Sequence, residues 1–255
     1  MALFERYLIK CGQRAARIRL GIALTGALTG CLFSLFALAA QAQSEPSPAT
    51  FRTLAISADV PEVFYDLRGK PVQVTAATSG LSMPNEVPAG GRVVFYRLQP
   101  AETSEGKPRR ITVADVRLSG TGPFLLFMAE RPDSPELTVQ VVDDSWETHP
   151  AETIRLFNFS RRNVVVKIVI KDLVVELQTG QDRVLPYGKT GQFWFQAATQ
   201  EPEGWVMRVS APQVSPPQTR ITAILFDQKP TPDRPLTREL DLVKFIDVVP
   251  TPPAP

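Results

Sequence analysis

Downstream of residue 50, Val, Ile, Leu, Phe and Tyr recur in short runs separated by Gly, Pro, Asn and Asp. The runs predict strands at 52–57, 72–76, 93–98, 111–118, 124–129 and 137–142. After a polar stretch they resume at 153–157, 164–170, 173–177, 192–197, 205–210 and 221–226, with a last run at 242–248. Short β-branched runs with turn residues between them, and no sustained helical period, predict an all-β chain. Residues 236–245 form the one helix candidate, and the runs at its ends fit a strand as well. Residues 164–170 and 173–177, joined by Lys171-Asp172, predict a hairpin with a two-residue turn.

The pattern repeats at an offset of about 100 residues. Gly91-Arg92-Val93-Val94-Phe95 aligns with Gly191-Gln192-Phe193-Trp194-Phe195. Leu126-Phe127 followed by Pro132-Asp133 aligns with Leu225-Phe226 followed by Pro232-Asp233. Several matches in register argue for two copies of one unit. Each copy has the size of a β-sandwich of about seven strands. The expected organisation is two tandem, internally repeated β-sandwich (Ig-like) domains at 51–144 and 152–249, a linker at 145–151 and a Pro-rich tail at 250–255.

Residues 20–40 are apolar and uncharged, and Arg6, Lys10, Arg14, Arg17 and Arg19 precede them. With the small residues Ala40 and Ala42 flanking Gln41, and a polar linker at 43–50, this reads as an export signal over 1–42 cleaved after Ala42. Two alternatives stay open. Leu28-Thr29-Gly30-Cys31 resembles a lipoprotein box, which would lipidate Cys31, and residues 20–40 are about long enough to anchor the chain uncleaved. The expected location is periplasmic or secreted, or membrane-held if either alternative applies.

Removing the signal changes the charge. Lys and Arg number 28 against 26 Asp and Glu; without the five bases and one acid of residues 1–42, 23 face 25. A slightly acidic body with no concentrated basic face gives no reason to expect nucleic acid. Both cysteines, Cys11 and Cys31, leave with the signal, which eliminates thiol nucleophiles, thiolate metal ligands and disulfides from the mature chain.

Candidate chemistry is sparse. His149 is the single imidazole and stands beside Pro150 in the expected linker, so it reads as an exposed linker residue rather than part of a catalytic triad. Asp143, Asp144 and Glu147 read as a solvated acidic segment, since their spacing matches no calcium loop. Asp133 and Asp233, equivalent in the repeat, read as turn residues whose side chains bond downstream amides. Phosphate loops and dinucleotide fingerprints are absent, and no cofactor or metal is expected.

Aromatic residues give the remaining signal. Side chains alternate along a strand, so Trp194 lies opposite Phe193 and Phe195. The face shared with Val93 and Phe95 is apolar in both copies, which places Phe95 and Phe195 in the core and Trp194 outside, partly covered by a neighbour or partner. Trp194, Trp205, Arg161 and Arg162 are the nominated contact residues. The expected function is a non-catalytic binding or adaptor module of the cell envelope, its partner another envelope protein or a surface polymer. Two linked modules would raise effective concentration without new contacts. The alternatives are an extracytoplasmic, carboxylate-based glycan-acting enzyme and a membrane-anchored scaffold subunit.

Overall fold

The computed structural model describes residues 48–100, 108–169, 172–188, 191–228, 232–233 and 239–249. The expected signal segment, Cys31, the tail at 250–255 and part of the 236–245 helix candidate lie outside them; the described part of that candidate is strand.

The chain is all-β. The first half supplies β1 (Thr50–Ala55), β2 (Val60–Leu67), β3 (Lys70–Ala76), β4 (Asn85–Glu86), β5 (Arg92–Gln99), β6 (Arg109–Arg117), β7 (Phe124–Glu130) and β8 (Leu137–Asp143). The second supplies β9 (Thr153–Asn158), β10 (Val164–Ile168), β11 (Leu173–Leu177), β12 (Asp182–Pro186), β13 (Gln192–Glu201), β14 (Gly204–Val214), β15 (Thr219–Asp227) and β16 (Leu240–Val248). The sheets run β4-β1-β7-β8 and β3-β2-β5-β6, then β12-β9-β15-β16 and β11-β10-β13-β14. Adding eight to each label of the first pair gives the second. Even the unusual element is duplicated: β1 pairs with β7 in parallel, and β9 with β15.

Each pair of sheets closes on its own core. Phe51, Tyr65, Val93, Phe95, Leu126 and Met128 belong to the first, and Leu156, Val166, Phe193, Phe195, Ile221 and Leu225 to the second. Phe95 and Phe195 are core residues, as their shared face predicts.

A third apolar cluster joins the halves. Leu54, Leu125, Phe127 and Val142 point away from the first core and meet Phe157 and Ile224, which point away from the second. Phe127 lies edge-on to Phe157 with centroids 4.7 Å apart and to Phe159 at 5.0 Å. The sheets β4-β1-β7-β8 and β12-β9-β15-β16 therefore pack back to back, and the sandwiches form four layers. This is why β7 and β15 read as continuous apolar runs: both their faces are buried.

Three strands escape the sequence pattern for physical reasons. In β2 the register with β3 shifts between Val60 and Val63, where Glu62 adopts a φ of 53°, so the bulge breaks the alternation. β4 has two residues, and β12 (DRVLP) is a charged edge strand that ends on Pro. The predicted hairpin exists, but its last pair is Ile168 and Leu173, so the connection is 169–172 rather than two residues.

Candidate functional site

The densest chemistry lies at the junction of the sandwiches. Asp144 follows β8, His149 precedes β9, and Arg220 stands on β15; all three are fully buried. The Arg220 guanidinium donates to Asp144 Oδ2 and to the Asp144 carbonyl, both at 2.8 Å, and to the His149 carbonyl at 3.0 Å. It also lies 3.9 Å over the Trp146 ring. Arg52 of β1 donates to Asp247 of β16 at 2.7 and 2.6 Å and reaches Asp144 at 3.2 Å. His149 Nδ1 is 3.1 Å from Asp144 Oδ1.

The electrostatics follow from this geometry. The hydrogen bond from Arg52 to Asp247 raises the arginine's pKa against the cost of burial. Burial disfavours the Asp247 carboxylate, yet Arg52 and Arg220 hold its pKa below the usual range. Burial lowers that of Arg220. Two guanidiniums, those of Arg52 and Arg220, face two carboxylates, those of Asp144 and Asp247. The expectations of an exposed His149 and a solvated acidic segment are thus corrected: the buried Arg220, 71 residues downstream of His149, organises that segment. Asp143 and Glu147 are exposed, as expected. The cluster joins the halves, with Asp144, His149 and Arg220 buried and Arg52 and Asp247 partly exposed at its edge.

A second network closes the end of the second sandwich. Glu201 receives Arg208 at 2.9 Å, Thr199 at 2.8 Å and Arg162. Arg208, Thr199 and Arg162 together hold its pKa down to about 2 against the burial cost. Arg162 also bonds Asp227 at 2.6 Å, and Ser160 Oγ donates to the same carboxylate. Arg162 is therefore committed within the chain, whereas the Arg161 side chain is exposed.

The repeated turn differs from expectation in its bonding. Asp133 supplies a left-handed backbone with φ 61°, but the side chain that accepts the downstream amide of Glu136 is Ser134 Oγ, at 3.1 Å. Asp233 is an exposed turn residue.

The remaining candidates meet on one surface. Along β13, Phe193, Phe195 and Ala197 are buried, so Gln192, Trp194, Gln196, Ala198 and Gln200 face outward. Their register partners on β14 are Val214, Pro212, Ser210, Met207 and Trp205. A bulge at Arg208 keeps both halves of β14 in phase, which puts Trp194 and Trp205 on the same face despite the odd spacing of their sequence positions. Trp194 is 44% exposed, Trp205 47% and Met207 53%, and Val174 of β11, on the same face but two strands from β13, is 60% exposed. Ser210 Oγ accepts the Trp194 indole N–H at 2.9 Å, which ties the ring's edge to β14.

The equivalent face of the first sandwich has another chemistry. Aligned on Gly91 and Gly191, the positions of Gln192, Trp194, Pro212 and Val214 hold Arg92, Val94, Asp115 and Arg117. There Arg92 pairs with Asp115, Arg110 lies 4.5 Å over the Tyr96 ring and pairs with Asp66 at 2.6 Å, and Tyr96 donates to Asp66 at 2.8 Å. One copy closes its outer sheet with ion pairs; the other leaves indoles, a thioether and amides in water.

A groove of about 430 Å³ between β6 and β8 has charged walls whose groups pair locally, Arg131 with Glu136 and Asp115 with Arg92. Among the described residues, no group of three or more His, Cys, Asp or Glu is arranged to hold a metal ion, and no helix is long and apolar enough to cross a membrane. No family model matches this chain, and no curated protein matches it either, so the site rests on its own geometry.

Proposed function

We propose that the chain is an exported, non-catalytic binding protein of the cell envelope, made of two immunoglobulin-like sandwiches, that meets its partner through the outer face of β11-β10-β13-β14. The observation that carries this reading is the divergence of the duplicated outer sheet. Exposed apolar side chains gathered on one face mark interaction surfaces in soluble domains. The basic, apolar and small-residue pattern of residues 1–42 supports export with cleavage after Ala42. The partner is another envelope protein or a surface polymer.

The test is an affinity pull-down from cross-linked source cells. It compares the tagged wild type with a Trp205→Ala/Met207→Ala variant and with Arg92→Ala on the opposite outer sheet. Wild type and Arg92→Ala should recover the same one or two envelope components, and the double variant should lose them. Undiminished recovery by the double variant would remove the face from consideration.

A further inference from the structure

We infer that the ligand of this face is an uncharged polysaccharide lying as an extended chain along β13; the inference rests on the reading of the face as the binding surface. Trp194 pairs with Pro212 at one end of the β13–β14 ribbon, and Trp205 pairs with Gln200 at the other. Six residues of strand separate these rows, about 20 Å at the usual rise. That spacing fits an extended polymer better than a compact small molecule. A pyranose ring presents C–H groups on its faces and hydroxyls around its rim. An indole can cover such a face without displacing any hydroxyl from its hydrogen bonds.

Between the rings the surface changes from aromatic to amphoteric. Gln196 and Ser210 face outward there, beside the Ala198–Met207 row, and the amide and the hydroxyl each donate and accept, as sugar hydroxyls do. Gln196 Nε2 approaches Ser210 Oγ at 3.4 Å, and the same hydroxyl holds the Trp194 ring, so the central groups are tied to the stacking platform. Protein-binding surfaces concentrate their anchors at the centre within a polar rim. Here the two indoles stand at the ends instead, with the Gln196–Ser210 row and the Met207 thioether between them.

Charge narrows the class further. On the paired strands of this sheet the outward charged residues are Lys167 and Glu176. Lys167 is paired with Asp172 at 2.8 Å, and the Asn163 amide approaches Glu176 at 3.4 Å. Lys167, Asp172 and Glu176 together leave one net negative charge on these strands, which suits a neutral polymer better than an anionic glycan or lipid headgroup.

The test is affinity electrophoresis of the full chain, expressed with its own leader and purified. Native gels would contain hydroxyethylcellulose, xylan or soluble α-1,4-glucan, with carboxymethylcellulose as the anionic counterpart. At least one neutral polymer should retard the wild type, and retardation should persist at high salt. Trp194→Ala and Trp205→Ala should each weaken it on the order of tenfold, with Trp→Phe keeping part of it. Both indoles are half exposed, so thermal midpoints should stay near wild type and separate lost binding from lost fold. Retardation by carboxymethylcellulose alone, abolished by salt, would overturn the inference. So would indifference to every neutral polymer combined with face-dependent capture of a protein, an outcome that leaves the reading of the face standing. Failure of both binding measurements would sink that reading as well.

Discussion

A methyl group added to Gly191 would meet the Ser215 carbonyl oxygen at 2.1 Å, and one added to Gly91 would meet that of Leu118 at 2.3 Å. Both glycines have positive φ, 65° and 74°, and each glycine's own carbonyl accepts an amide from the end of the neighbouring strand, Gly191 from Ser215 N at 2.6 Å and Gly91 from Leu118 N at 2.7 Å. The Gly-x-x-x-Phe repeat is legible in the sequence because this close approach and the core ring beyond it tolerate no substitute. Gly191→Ala should cost about 1–3 kcal/mol, read as a lower urea midpoint with unchanged slope. Gly180→Ala, where φ is 79° but the space is open, should cost less. Glu201 makes a pH-dependent contribution. Its folded pKa of about 2 lies below the ordinary 4.5, so the ionised form stabilises the fold; that contribution is complete above about 4.5 and is lost as pH falls toward 2. Across this window the wild type should lose stability more steeply than Glu201→Gln, a difference that urea midpoints measured at several pH values would show. His149 marks the limit of such reading: its polar, Pro-flanked surroundings suggest a surface residue, and nothing in 143–151 announces that Arg220 buries it.

At the scale of elements, legibility depended on regular alternation and on apolar runs. β5, β7, β10 and β13 stand out because their inward residues are large and regularly placed. β2 and β12 do not, one broken by a bulge and the other lying at an edge where charge and Pro are tolerated. The unbroken apolar runs of β7 and β15 carried more information than strand identity, since a strand buried on both faces needs a further layer. The outer face of β13–β14 was half legible. Alternation placed Trp194 outside, but joining it to Trp205 required the bulge at Arg208, which no turn residue signals. Arg162, nominated for an external contact, instead serves Glu201 and Asp227, because a long cationic side chain between a buried and a partly exposed carboxylate is drawn toward them.

The whole molecule should behave as one cooperative body. The aromatic cluster at Phe127 and the ion cluster at Asp144 both span the junction, so neither sandwich keeps its inner sheet covered alone. Trp146, Trp194 and Trp205 all follow residue 144, so fluorescence reports the junction and the second copy, while far-ultraviolet circular dichroism reports both copies. The two signals should coincide in urea for the wild type. Arg220→Met leaves Asp144 buried beside a weaker partner and should cost about 3–5 kcal/mol, with the two signals moving apart. Separate wild-type transitions would show that the junction does not couple the copies.

Back-to-back packing also fixes what duplication can accomplish. Each copy commits one sheet to the junction, so the two outer sheets look in opposite directions across a stack about 30 Å deep at the usual sheet spacing. No flat substrate can touch both at once, and the molecule gains no double grip from its repeat. Its geometry is that of a spacer, with a fixed thickness between the indole side and the ion-paired side.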